Sequence, residues 1–402
     1  MKSNLGQGAS VRSPIRSNAQ ADNNMNIQNN HTSPVSSSGQ PKNNTSKSMK
    51  SRVLQIVAYT LLVVFGLGIG GGSYVWFGVL SKIGYSNTPF VKSGDYAPID
   101  LSQLDADQIT NGDTTDSWAQ GGHTKVYINS DFPIKKVAQK DKDVENILIF
   151  GVDSRGSDDV RCRADAVLIL SIDSHTKSIK LISLMRDSGV TIQGRSSTDK
   201  LTHSYAYGGV GLLVNTINEN FGLDVQRFVM LDFNSSAELI DLVGGIDIEV
   251  KADEVKYANQ SINEQNTLAD LTTPFLTQAG YQTLSGVQAI AWARIRHADS
   301  DFVRTSRQRT VASSLMKKVS AQNTLVQLSL LKDSAGMFET NMTQTDLIRI
   351  GTVVAQFIGN IVEYRIPDDG LFTVQENPWM MLIDWDKQIP KLHEYIWGRS
   401  DI

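Results

Sequence analysis

The pattern of hydrophobic and polar positions divides the chain into three textures. Up to residue 50 the sequence is rich in Asn, Ser, Gln and Gly and poor in aromatics. Such a segment buries too little apolar surface to offset its ordering entropy, so residues 1–52 read as a disordered tail. Residues 53–80 then run 28 positions without a charged side chain. As a helix this stretch reaches about 42 Å, enough to cross a hydrocarbon core of ~30 Å with some tilt. A cleaved signal peptide fits poorly, because the basic and apolar regions are both too long and no Ala-x-Ala site follows. Residues 81–143 are mixed, with Gly, Asp, Thr and Asn prominent, and read as a spacer or small accessory segment.

From residue 144 the texture is that of a packed domain. Residues 146–152 (NILIFGV), 166–173 (AVLILSID) and 178–185 (SIKLISLM) read as buried strands, the last two joined by a polar turn at 174–177. The second is apolar at nearly every position, which suits a strand covered on both faces. Strands are also expected over 227–232, 246–250 and 361–366. Helices are expected over 211–221, 234–242, 286–292, 302–319, 325–331 and 346–358, with residues 253–283 a polar excursion. Strands alternating with helices imply an α/β domain, a sheet covered by helices.

Charge is unevenly spread. Residues 1–52 hold seven Lys/Arg against one acid, Asp22, so the remainder carries −10 of the formal net charge of −4. The basic excess before the apolar run places the N-terminus in the cytoplasm and the main domain outside the cell membrane, as a single-pass protein. An acidic domain excludes general binding of nucleic acid, which needs a basic face. The one cysteine, Cys162, allows no intrachain disulfide.

Against that acidic background, residues 291–309 (AWARIRHADSDFVRTSRQR) concentrate five arginines, Arg294, Arg296, Arg304, Arg307 and Arg309. On a helix over 302–319, Arg304, Gln308, Val311 and Leu315 share an arc of about 60°. Arg304 and Gln308 then face inward, Arg307 sits at the flank and Arg309 points away. An inward guanidinium needs either a carboxylate such as Asp299 or Asp301, or a ligand phosphate that its planar fork can grip. Upstream, Asp153 closes one buried strand and Asp165 opens the next. Carboxylates at neighbouring strand ends can share a hard cation such as Mg²⁺ with phosphate oxygens. Asp158 and Asp159 read as solvated loop acids. Arg186, at the end of the following strand, is expected at the same sheet edge; the bland alternative is a surface pair with Asp187. In residues 200–209 (KLTHSYAYGG) the lysine could reach a phosphate and the glycines would permit close backbone approach. His203 there reads as a structural histidine.

Taken in order, these segments resemble the LytR-CpsA-Psr family. The resemblance rests on Gly151-Val-Asp-Ser-Arg155, Arg163-x-Asp165, Arg186-Asp187, Lys200-Leu201 with Gly208-Gly209, and Asp241-Leu-Val-Gly-Gly245. It continues through Leu284-x-Gly286-x-Gln288-Ala289, Arg294-x-Arg296 and Asp301-x-x-Arg304-x-x-Arg307-Gln308. It implies a three-layer α-β-α arrangement with a central mixed sheet, preceded by one transmembrane helix, and a catalytic domain over 144–402. It also implies a hydrophobic pocket for a polyprenyl chain. Asp153 and Asp165 match the family's positions for Mg²⁺, with Mn²⁺ an alternative. Arg163, Arg186, Arg294, Arg296, Arg304 and Gln308 match its pyrophosphate clamp. Two positions depart from the pattern: Met185 stands where Pro is usual before Arg-Asp, and Trp292 where Tyr is usual before Arg-x-Arg.

The expected activity is transfer of a glycopolymer from a polyprenyl-pyrophosphate carrier to a sugar hydroxyl of peptidoglycan. Arg186 would stabilise the charge, and Asp165 or Asp301 would accept the proton. The alternatives are a lipid-pyrophosphate hydrolase, a membrane-bound regulator and a binding module without chemistry. The sequence identifies neither the glycopolymer nor an oligomeric state.

Overall fold

The computed structural model describes residues 132–152, 163–295, 300–334 and 336–398, and the backbone of 84–85 and 90–92. The expected tail over 1–52 and membrane helix over 53–80 lie outside the described residues, as do most of 81–143, Asp153, Cys162, Arg296 and Asp299. Among the described residues no helix is long and apolar enough to cross a membrane.

In chain order the strands begin with β1 (Gly84–Tyr85), β2 (Phe90–Lys92), β3 (Ile134–Lys136), β4 (Val144–Val152) and β5 (Ala164–Asp173). They continue with β6 (Ser178–Leu184), β7 (Ser188–Val190), β8 (Asp199–Lys200), β9 (Arg227–Asp232) and β10 (Ile246–Val250). The last five are β11 (Gly280–Leu284), β12 (Glu339–Thr340), β13 (Ile361–Ile366), β14 (Phe372–Glu376) and β15 (Trp379–Ile383). The helices are α1 (Leu201–Phe221), α2 (Phe233–Leu242), α3 (Ala252–Ala269), α4 (Gly286–Ala293), α5 (Asp301–Ser320), α6 (Thr324–Asp333), α7 (Gln344–Phe357) and α8 (Trp385–Trp397).

The central sheet has seven strands in the order β1-β12-β9-β4-β5-β6-β13. It is mixed: β4 runs parallel to β9 and β6 parallel to β13, while β5 is antiparallel to both β4 and β6. Side chains alternate between two cores, as the pleat requires. Leu148 and Phe150 pack with Leu213 of α1 and Leu392 of α8 on one face. Ile147 and Leu170 pack with Ile350 of α7 and Met316 of α5 on the other. Helices thus cover both faces, which is why β5 is buried along nearly its whole length. A third core joins α2, α3, α4 and the antiparallel β10–β11 pair to Val311 of α5.

The polar excursion at 253–283 is largely a helix, α3. Its buried residues Glu254, Ala258 and Ile262 form a stripe one side chain wide in an otherwise polar helix, too narrow for hydrophobic periodicity to announce. Residues 201–209 are likewise helical, in the first half of α1, which is kinked at Gly208–Gly209. The close approach those glycines permit is made by the chain itself. Gly208 O accepts from Phe132 N at 3.1 Å, and a Cβ at Gly211 would lie 1.6 Å from Phe132 O.

The Arg309 expectation is overturned. Arg309 is buried, not turned to solvent: its Nη1 donates to Ser183 Oγ at 2.8 Å and its Nε to Glu363 Oε2 at 3.1 Å. Helix α5 is clasped between the central sheet and the α2–α4 group, so it buries more than the single stripe the periodicity marks.

Candidate functional site

The parallel strands β4, β6, β9 and β13 all end at one edge of the sheet, and the antiparallel β5 begins there. Val152 pairs with Ala164 and with Asp232, and Leu184 with Ile366. The residues just beyond these pairs therefore share one rim.

Arg186 is the hub of that rim. Its Nη1 donates to Asp165 Oδ1 at 2.7 Å and its Nε to Asp187 Oδ2 at 3.2 Å, with Asp301 Oδ2 at 3.7 Å. Asp301, the first residue of α5, grips Arg304 with both oxygens, Nη1–Oδ1 at 2.9 Å and Nη2–Oδ2 at 3.0 Å. Asp187 passes the chain on to Lys200 at 3.0 Å. Asp187 is buried, so it is not a solvent-facing partner of Arg186 worth little. Burial works against the Arg186 cation, but Asp165, Asp187 and Asp301 outweigh it and hold the guanidinium charged well above its ordinary value. Burial would raise the Asp187 carboxyl, yet Arg186 and Lys200 bring it below the usual range. Lys200 therefore faces a carboxylate, and its remaining ammonium protons face outward from that pair.

An apolar cavity of about 220 Å³ opens beside this chain of charges. It lies between β4, β5 and β9 and helices α2, α4 and α5, and its walls include Leu168, Val229, Leu239, Ile290 and Leu315. Arg294 and Gln308 are its conspicuous polar wall residues. Gln308 sits one turn beyond Arg304 on α5, and Ala166 of the wall follows Asp165 by one residue. Arg294 caps the C-terminus of α4, with its guanidinium 4.3 Å from the centroid of the Phe233 ring. Arg163, half-buried, immediately precedes β5.

Arg307, like Arg309, is structural. Arg307 Nε donates to Glu254 Oε1 at 2.9 Å, in a pair that is almost wholly buried. Glu254 Oε2 accepts from Trp292 Nε1 at 2.8 Å and from Lys251 N at 3.0 Å. Burial raises the Glu254 carboxyl, but these donors more than reverse the effect and leave it lowered. Trp292 thus helps fix α3 to α4 and α5. Met185, at the other departure from the family pattern, is fully buried, and its sulfur accepts from Thr305 Oγ1 at 3.5 Å. His203 pairs through Nδ1 with Asp199 Oδ1 at 2.7 Å.

Asp165, Arg186, Asp301 and Arg304 therefore meet, Arg294 and Gln308 line the neighbouring cavity, and Asp153 and Arg296 lie outside the described residues. Sequence reasoning undervalued Asp187, which is buried and whose backbone oxygen is tied to Met381 N of β15. It missed Glu254 altogether. Among the described residues no group of three or more His, Cys, Asp or Glu side chains is placed to hold a metal. Mg²⁺ does not need one: a single carboxylate such as Asp165, with phosphate oxygens and water, supplies the hard donors it prefers.

Fold and site together define a class: a mixed-sheet α/β protein with alternating arginines and aspartates at the rim of an apolar cavity. The profile of the LytR_cpsA_psr family matches residues 110–388, and the chain belongs to that family. Its relatives include a protein of Bacillus subtilis (strain 168) named polyisoprenyl-teichoic acid–peptidoglycan teichoic acid transferase TagT. That protein is 30% identical over 221 residues, which cover 54% of this chain and 66% of TagT, just under two thirds of its length. The TagU transferase of the same description from Bacillus licheniformis is 26% identical over 261 residues, 63% of this chain and 79% of TagU. The solved structure of TagT bound to LI-WTA aligns with a TM-score of 0.52 at 26% identity, over 66% of this chain and 95% of that one.

Proposed function

We propose that this protein is a membrane-anchored phosphotransferase. It moves a glycopolymer from a polyprenyl-pyrophosphate carrier onto a sugar hydroxyl of peptidoglycan. One observation carries the reading: a chain of guanidiniums and carboxylates adjoins, through Asp165 next to Ala166 and Arg304 one turn from Gln308, the wall of a cavity apolar enough for an isoprenoid. The names of the TagT and TagU relatives support the glycopolymer and the acceptor. Residues 53–80 serve as the single span, with the N-terminus cytoplasmic and residues 144–402 outside the cell membrane.

In this reading the isoprenoid lies in the cavity under Arg294 and Gln308, and Arg163, Arg186, Arg296 and Arg304 face the pyrophosphate. Arginine suits this because its planar fork matches phosphate oxygens and it stays charged when buried. A sugar hydroxyl attacks the glycan-side phosphorus. The new O–P bond forms as the bond to the bridging oxygen breaks, and polyprenyl phosphate leaves. Arg186 and Arg304 stabilise the charge that gathers on it. The hydroxyl proton goes to a carboxylate. Asp165 and Asp301 both stand against Arg186, and either is the acceptor. A Mg²⁺ ion on Asp165 and Asp153, when bound, would supply further neutralisation of the pyrophosphate.

The test is transfer by the full chain in detergent from a lipid-linked donor to peptidoglycan oligomers, with product analysis with and without acceptor. Acceptor-dependent glycan attachment that vanishes in Arg186→Ala supports the proposal. Equal transfer by the variant overturns it, and release of free glycan phosphate alone makes the protein a hydrolase.

A further inference from the structure

The cavity beside Arg294 and Gln308 has room for only the first part of a polyprenyl chain. A dry cavity of about 150 Å³ takes one benzene ring, so the cavity of about 220 Å³ takes on the order of ten carbons. A second cavity, of about 380 Å³, opens between α5, α6 and α7. The two share three wall residues, Leu239 of α2 and Leu315 and Met316 of α5. Along α5 they follow one another. Gln308, Val311 and Ala312 line the first cavity alone, and Val319 and Ser320 line the second alone. At about 1.5 Å per residue, Ser320 stands about 18 Å beyond Gln308 and about 24 Å beyond Arg304 along the helix axis. A lipid whose phosphate is held at Arg304 therefore meets the first cavity and then the second.

The walls of the second cavity are mostly apolar, with Val319, Leu330, Leu331 and Leu347 among them, and Ile348, Gly351 and Thr352 of α7 are its exposed lip. Gly351 stands in the middle of α7, where glycine weakens a helix through its entropy. Its φ lies outside the left-handed region, and a Cβ there would meet nothing within 4 Å. Neither the backbone nor close packing requires a glycine at this position; its effect is to leave the second cavity unfilled. We infer that the second cavity seats the distal isoprene units of the carrier lipid, and that Gly351 sets the length of chain accepted. The proximal units lie in the first cavity. The chain passes between them at Leu239, Leu315 and Met316, where the unbranched thioether of Met316 yields to it. The inference rests on the reading that places the carrier lipid in the first cavity; it adds the path of the chain beyond that cavity and the residue that selects for length.

Binding of two probes to the full chain in detergent, followed by calorimetry, tests it. Geranyl phosphate fits the first cavity, and undecaprenyl phosphate needs both. The wild type binds both, and the long probe more tightly, because it buries more apolar surface. Gly351→Phe fills the second cavity, weakens undecaprenyl phosphate about tenfold and leaves geranyl phosphate unchanged. Gly351→Ala retains the binding of both probes, which separates filling of the cavity from any effect on the helix. Ala312→Trp, in the first cavity, weakens both. A wild type that binds neither probe sinks the lipid reading of the first cavity, and the second cavity's role with it. Undecaprenyl phosphate binding untouched by Gly351→Phe, where Ala312→Trp weakens both probes, leaves that reading standing and overturns the role of the second cavity. Equal weakening of both probes by Gly351→Phe overturns it as well.

Discussion

Arg186 donates to Asp165 at 2.7 Å across 21 residues of sequence, and the pair joins the end of β6 to the start of β5. Arg186 is the cation that keeps Asp165, Asp187 and Asp301 from repelling one another, a task beside the phosphate contact proposed for it. Arg186→Ala should lower kcat/KM for transfer by about a thousandfold. Arg186→Lys keeps the charge but reaches fewer oxygens and should recover only part of the rate. Comparing the two by transfer kinetics, with thermal unfolding as the control for folding, separates charge from geometry.

Arg307 offers the contrasting case. It belongs to the same run of arginines, but its partner is Glu254 and both are buried. Arg307→Ala leaves a buried carboxylate unpaired and should cost roughly 3–5 kcal/mol. Replacing both residues with apolar ones of similar volume should restore most of the loss. Calorimetric unfolding of the single and double variants checks this, and near-additive losses would refute the pairing.

Acid should act on the same contact. The Glu254 carboxyl is lowered from its ordinary 4.5 in the folded chain, so the unfolded chain binds the proton more readily. The contribution is complete above about pH 4.5 and is lost as pH falls through the folded value. Denaturant unfolding between about pH 3 and pH 6 should show a shallower loss for Glu254→Gln than for the wild type. Parallel pH profiles would remove the assignment.

Gly286 tests how tightly α4 is set. A Cβ there would lie 1.9 Å from Ala237 O in α2, and its N–H donates to Asp241 Oδ1 at 2.7 Å. Gly286→Ala must push two helices apart and should cost roughly 3 kcal/mol or more. A thermal midpoint within about 2 °C of wild type would contradict this close contact.

Filling the cavity should separate lipid binding from chemistry. Ala312 lies on its wall. Ala312→Trp should raise KM for a long-chain donor about tenfold or more, with little effect on a donor whose lipid is only a few carbons long. Overpacking should cost about 1–3 kcal/mol, so thermal unfolding belongs beside the kinetics. An equal effect on both donors would place the lipid elsewhere.

Sequence by itself determined the strands that become β4, β5, β6, β9, β10 and β13, because apolar runs bounded by polar turns have few other uses. It singled out Asp165, Arg186, Asp301 and Arg304, since charges abutting buried elements demand partners. Family motifs mixed two kinds of residue that pattern alone does not sort. Gly286 and Asp241 fix a helix contact, and Gly208 admits the Phe132 segment, whereas Arg186 and Asp165 face the rim. Tertiary structure alone decided that Arg309 and Arg307 are buried ties to Glu363 and Glu254, and that Asp187 is enclosed. The physical reason is range. Periodicity reports one buried face of one element, while a helix clasped on two sides, or a hairpin closing over a strand end, is fixed by contacts between residues far apart in the chain.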